Sequence, residues 1–180
     1  SKKMDEFAKW GGSKWNELRT GFVVDYQGKN QFVNYYWNNN GLDGRGIEKD
    51  GKKTGMWQYF HPGGNLLASG SYDNGIRVDD WIYYWENDVI SSKESYIDNK
   101  VEGIDLNFYK TGLLREKNRY KKGELNGLSN DYFKKGGINN ALNYKDGKIE
   151  GDAYYYYVTG ALHYHVVFKE GKLDGDFSEY

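Results

Sequence analysis

The chain of 180 residues has no cysteine, which excludes a disulfide framework and any thiol chemistry. It has one proline, Pro62, against 24 glycines. Frequent glycine without proline marks many tight turns with positive φ, not loose linkers. Neither sign of charge is in excess: 25 Lys and Arg face 26 Asp and Glu, for a net charge of −1. That balance carries no electrostatic footprint for nucleic acid or for an anionic membrane surface. No apolar run approaches the length of a transmembrane helix. The first residue is Ser1, not Met, so a removed export signal stays open. Aliphatic residues are comparatively few, whereas aromatics make up 18%, with 18 Tyr and 6 Trp. Tyr and Trp must therefore do much of the burying.

What is present is a period. Tyr72, Tyr96, Tyr120, Tyr144 and Phe168 follow one another at steps of 24 residues. Gly51, Gly75, Gly123, Gly147 and Gly171 keep the same step, with Asn99 in the gap. Gly55, Gly103, Gly127, Gly151 and Gly175 form a second series, interrupted by Asp79. An aromatic series runs Tyr36, Phe60, Tyr84, Phe108, Tyr132, Tyr156 and Tyr180. Aliphatic residues do the same at Leu42, Leu66, Ile90, Leu114, Ile138 and Leu162, and again at Val101, Leu125, Ile149 and Leu173. Full copies of the module occupy 55–78, 79–102, 103–126, 127–150 and 151–174; a divergent copy occupies 31–54 and a partial one 175–180.

Each module holds two short aromatic-aliphatic runs separated by glycine-containing turns such as "HPGG", "KTG", "YDNG" and "YKDG". Short runs broken by Asn-Gly and Asp-Gly signals predict hairpins, not helices. The expected fold is all-β: an elongated single-layer antiparallel β-meander of 24-residue hairpin repeats. With strands ~4.8 Å apart, each module adds roughly 10 Å along the sheet. Residues 1–30 fall outside the period and read as an N-terminal cap plus a first hairpin strand. Within them "MDEFAKW" has the spacing for one or two helical turns, and "GFVVDYQGKNQFVNYYW" reads as a hairpin across 27–30. Asp79, Asn99 and Asp88 stand where glycine is expected, which predicts distorted turns in module 79–102.

The texts "GMWQYFHPGGNLLASGSYDNG", "LNFYKTGLLREKNRYKKGELNG" and "YYYYVTGALHYHVVFKEGKLDG" resemble the MORN-type repeat, in the variant found in bacterial YwqK-like proteins. The resemblance covers 55–180 well, 31–54 loosely and 1–30 not at all. It implies a bacterial antitoxin or immunity protein that neutralises a cognate toxin by blocking its active site or its entry, in the cytoplasm or the periplasm.

Recurrent aromatics are expected to build the scaffold; those that do not recur need another reason. Trp37, Trp57, Tyr59, His61, Trp81, Tyr83 and Trp85 gather in the first three modules. Trp57 and Tyr59 share a strand face, and Trp81 and Tyr83 repeat the arrangement one module on. Together they predict an aromatic surface patch rimmed by Asp79, Asp80, Glu86 and Asp88, with the composition of a protein-binding hot spot. Packing beneath the cap and a ligand groove are the alternatives for the same rings. His163 and His165 share a face, but no third ligand accompanies them, and His61 is roughly 40 Å away along the array; no metal site is expected. No nucleophile elbow, P-loop or other catalytic constellation is present, so neither an enzyme nor a cofactor is expected. The sequence reads as a protein-interaction module whose partner is a protein. A carbohydrate or cell-wall binder using exposed aromatics and a lipid-surface adaptor are the alternatives.

Overall fold

The computed structural model describes residues 20–23, 30–37, 40–175 and 177–180. The helical turns expected at the N-terminus, and the 27–30 turn up to residue 29, lie outside these. All described secondary structure is β-strand. The chain forms two compact units, divided between Ile76 and Arg77.

The first unit holds β1 (Thr20–Val23), β2 (Asn30–Tyr36), β3 (Leu42–Lys49), β4 (Lys52–Phe60) and β5 (Leu66–Asp73), each paired antiparallel with the next. The second holds β6 (Ile76–Tyr84), β7 (Ile90–Ile97), β8 (Lys100–Val101), β9 (Gly103–Phe108), β10 (Leu114–Lys121) and β11 (Glu124–Leu125). It continues with β12 (Gly127–Tyr132), β13 (Ile138–Lys145), β14 (Lys148–Ile149), β15 (Gly151–Tyr156), β16 (Leu162–Lys169), β17 (Lys172–Leu173) and β18 (Ser178–Glu179). β8 and β9 both pair with β7, and are one strand interrupted at Glu102; β11–β12 and β14–β15 repeat the interruption. All pairings are antiparallel, and neither unit pairs its last strand with its first among the described residues, so neither closes into a barrel.

The period is written into the backbone. Within each module the same four-residue turn recurs: Trp37, His61, Trp85, Tyr109, Phe133 and Tyr157 each donate their N–H to the carbonyl four residues on, at 2.7–3.0 Å. The residue before that carbonyl is left-handed in every copy, as Asn40 (φ 65°), Gly64 (92°), Asp88 (61°), Gly112 (85°), Gly136 (89°) and Gly160 (88°). Asp88 therefore does not distort its turn: Trp85 N–H to Val89 O is 2.8 Å and Asp88 N–H to Trp85 O is 3.0 Å. The same correction applies to Asp79 (φ 58°) and Asn99 (φ 63°), which hold the conformation of the glycines they replace. Asp and Asn visit the left-handed region more readily than other side chains do. Between strands, the tight turns Asp50–Gly51, Asp98–Asn99, Lys122–Gly123, Asp146–Gly147 and Glu170–Gly171 have positive φ at both central residues. A two-residue type I′ hairpin requires this, and its twist matches that of the flanking strands.

Both ends of the hairpins tie successive modules together. The turn amides of Asn99, Gly123, Gly147 and Gly171 donate to Arg77, Val101, Leu125 and Ile149, each 22 residues back, at 2.9–3.1 Å. At the other end the Trp85 indole N–H donates to Phe108 O (3.1 Å) and the Tyr109 hydroxyl to Tyr132 O (2.7 Å). The divergent copy is a complete structural repeat. The array also starts earlier than the periodic residues suggest, because Thr20 faces Tyr35 as Gly44 faces Tyr59, 24 residues on.

The core is a column, not a layer. Val33 and Trp57 in the first unit, and Trp81, Asp105, Ser129 and Ala153 in the second, are all buried and all spaced by 24. Trp57 lies between glycines, opposite Gly70 on β5 and over Gly46 on β3. An aromatic side chain that buries 150–250 Å² gains about 4–6 kcal/mol at ~25 cal/mol per Å². One such ring can therefore replace several aliphatic side chains in a thin sheet.

Candidate functional site

The residues expected to form a surface patch divide sharply by burial. Trp57 (0% exposed) and Trp81 (1%) are the two largest fully buried side chains among the described residues, so the expectation of a patch built on them is corrected: they are core. Tyr59 and Tyr83 lie on the same faces as their tryptophans, with ring centroids 6.0 Å apart in both cases, and are half-buried. His61 and Trp85 occupy equivalent turn positions and are half-buried; Trp37, at the same position one module earlier, is exposed. Asp79, Asp80 and Glu86 are exposed. Asp80 accepts a hydrogen bond from the Ser95 hydroxyl at 2.6 Å. Trp37, Trp57, Tyr59 and His61 fall in the first unit, the other six in the second.

In the first unit the rings surround a cation the sequence reading passed over. The Lys53 ammonium lies 4.4 Å from the Trp57 ring centre, 4.9 Å from Tyr59, 5.5 Å from Tyr72 and 5.7 Å from Tyr35, and donates to the Tyr59 hydroxyl at 2.7 Å. The indole N–H of Trp57 donates to Ile47 O at 3.0 Å. Burial, with a 2.6 Å hydrogen bond to Glu48 as the second cause, pushes the Tyr35 phenol up to about 12. The second unit opens with the same motif. The Arg77 guanidinium lies 4.9 Å from the Trp81 ring and 5.4 Å from Tyr96, and donates to the hydroxyls of Tyr83 (3.2 Å) and Tyr96 (3.3 Å). The signal was available: in the 24-residue columns a cation stands four residues before Trp57 and Trp81, while Val101, Leu125 and Ile149 stand before Asp105, Ser129 and Ala153.

Beyond Trp81 the same face of the second unit turns acidic and polar. Trp81 faces Glu94, Asp105 faces Asn118, Asn107 faces Glu116 and Asp131 faces Asn140. Asp105 is buried and accepts from Asn107 (2.7 Å) and Asn118 (3.2 Å); Ser129 donates to Asn118 (2.5 Å) and Asn140 to Asp131 (2.8 Å). Burial raises the Asp105 carboxyl above its ordinary value, and the negative charges of Glu94 and Glu116 push it the same way, against the two asparagine donors. Tyr96, whose hydroxyl bonds Glu94, is raised above the ordinary phenol range, first by burial and then by that bond. Tyr120 is raised by burial and by Asp105, Glu116 and Glu94. Tyr144 is raised by burial, then by Tyr155 and Asp131. These groups share one electrostatic environment. The basic side chain beside it is Arg115, whose Nε lies 3.1 Å from Glu116 Oε1.

His165 is 2.7 Å from Asp152 and stacked on Tyr154 at 4.8 Å, while His163 stacks on Tyr157 at 3.9 Å. Both rings are thus engaged by their neighbours. No family model matches the chain, and no curated protein matches it.

Proposed function

We propose that this protein is a protein-interaction module whose second unit presents an acidic, tyrosine-lined face to a basic protein partner. The observation that carries this reading is the tract of Glu94, Glu116 and Asp131, half-exposed on one face among Tyr96, Tyr120, Tyr144 and Tyr155. Tyrosines held on a hydrogen-bonded scaffold offer contact area at low entropic cost, and carboxylates that outnumber the neighbouring cation, Arg115, steer and orient a cationic partner. In its most specific form, implied by the resemblance of the repeats, the module is an antitoxin or immunity protein that neutralises a toxin by occupying its active site or entry. The surface acids Asp79, Asp80 and Glu86 extend the negative field of the same unit. A glycan reading draws no comparable support, because Trp57 and Trp81, the rings it would stack on sugars, are buried.

The test is affinity capture from the source cells with the wild type and with Glu94→Gln/Glu116→Gln/Asp131→Asn. The reading expects a basic protein held by the wild type, released as salt is raised, lost in the triple variant, and growth-inhibitory unless the two are co-expressed. Equal retention by wild type and variant would remove the acidic face from the interaction.

A further inference from the structure

The opposite face of the second unit carries a cavity of about 670 Å³ between β9, β10 and β12. Its size falls in the range of small-molecule sites. Lys117 and Arg119, two residues apart on β10, line it together with Ile104 of β9 and Leu128 and Asn130 of β12. Lys121 also reaches it, so three cations meet one carboxylate, Glu102, which is already engaged by the Lys122 backbone N–H at 2.7 Å.

The repeat shows what is missing there. In module 79–102, Asp80 faces Ser95 and accepts a hydrogen bond from its hydroxyl; in module 151–174, Asp152 of the same column holds His165. In the two modules that flank β10 this column holds Ile104 and Leu128 instead of aspartate. Ile104 directly faces Arg119, and Asn130 directly faces Lys117. Among the described residues neither Lys117 nor Arg119 has an ion pair or a side-chain hydrogen bond. Ile104 is 42% and Leu128 55% exposed, so the apolar rim is open. A pair of free cations where neighbouring modules carry an internal carboxylate, beside two uncovered aliphatic side chains, is complementary to an external anion with an apolar body.

We infer that the Lys117–Arg119 cavity binds a small amphipathic anion, a carboxylate attached to a compact apolar or aromatic group. The guanidinium of Arg119 takes the carboxylate through paired N–H donors and Lys117 adds a second positive charge. Ile104 and Leu128 cover the apolar part. This site is separate from the acidic face and stands whether or not that face binds a protein.

The probe is 3-phenylpropanoate, followed through the methyl resonances of Ile104 and Leu128. Acetate supplies the charge without the ring, and 3-phenylpropanol the ring without the charge. Saturable shifts are expected with 3-phenylpropanoate and at least tenfold weaker binding of either control. Lys117→Gln/Arg119→Gln should weaken binding at least tenfold. Ile104→Asp, which places there the carboxylate that the column carries at Asp80 and Asp152, should do the same at an exposed position. Should the double variant fail to fold, Ile104→Asp and a rise in salt decide the matter. Binding of 3-phenylpropanol or acetate as tight as that of 3-phenylpropanoate, or indifference to Ile104→Asp, would overturn the assignment.

Discussion

The ammonium of Lys53 stands 4.4 Å from the centre of the Trp57 ring, inside a ring of tyrosines that a binding protein would offer to someone else's cation. Here the chain fills its own cage. A cation–π contact at a half-buried site contributes about 1–2 kcal/mol, and the bond to the Tyr59 hydroxyl adds about 1 kcal/mol.

Lys53→Gln should therefore lower stability by roughly 1–3 kcal/mol, while Trp57→Ala, which empties a fully buried site, should cost about 3–5 kcal/mol. The two losses should be less than additive, because the cation loses its main ring once Trp57 is gone. Urea unfolding of the two single variants and the double variant gives the coupling. Strict additivity would show that the cage contributes no interaction of its own.

Gly46 predicts a second effect at the same ring. A Cβ built there would lie 2.4 Å from the Trp57 ring atoms, on a backbone whose φ needs no glycine. Gly46→Ala should cost roughly 1–3 kcal/mol by overpacking, and Trp57→Phe in the same chain should recover part of that loss. Gly63→Ala, which meets nothing within 4 Å, is the control and should be close to neutral. If Gly46→Ala unfolds at the same denaturant concentration as Gly63→Ala, the indole does not lie flat on the strand.

How far the sequence reached is clear from these residues. The 24-residue columns located the turns, because a left-handed backbone leaves a chemical trace: Gly, Asn or Asp stands at these positions except at Lys122 and Glu170, where the glycine that follows marks the turn. They also placed Trp57 and Tyr59 on one face, which follows from the two-residue alternation of a strand. Burial was not legible, since it depends on what lies across the sheet. Gly46 is a neighbour only through strand pairing, and Lys53 reaches the ring from across a bulged stretch. The reading that followed the odd aromatics to the surface missed that their cations changed with them. Glu94 and Glu116 escaped notice because their columns hold Gly70 and Ala68, or Asn118 and Asn140, in other modules, so no period marks them. β1 was legible as the first strand of the hairpin it forms with β2; that its pairing continues the 24-residue register was not, because Thr20 sits at the Gly44 position without sharing its chemistry.

Asp79 tests the turn argument quantitatively. It is exposed, holds φ at 58° and stands in a column of glycines. A non-glycine residue pays for the left-handed region, about 1–2 kcal/mol in full and less for aspartate. Asp79→Gly should thus be neutral to stabilising by under about 1 kcal/mol, and Asp79→Val destabilising by about 1–2 kcal/mol. Thermal unfolding of the pair reads the difference. A valine variant as stable as the glycine variant would mean that the left-handed geometry at this position is not required.

Asp105 makes stability depend on pH in a direction opposite to that of most carboxylates. Its folded-state pKa is raised by burial and by Glu94 and Glu116, so the folded protein holds this proton more tightly than the unfolded chain does. The group's favourable contribution is complete below the ordinary carboxylate value of about 4, and is lost as pH rises through the raised value. Above that value a charged carboxylate is held in the column by the amides of Asn107 and Asn118 alone. Asp105→Asn keeps an acceptor for those amides and removes the charge. The variant should therefore be more stable than the wild type at pH 7, and the advantage should shrink steadily as the pH is lowered towards 4. Denaturant midpoints of both proteins at half-unit intervals from pH 4 to 8 check this. A variant less stable at pH 7, with a gap that does not change with pH, would show that the Asp105 carboxylate is stabilised in its ionised form and that the raised pKa is wrong in sign.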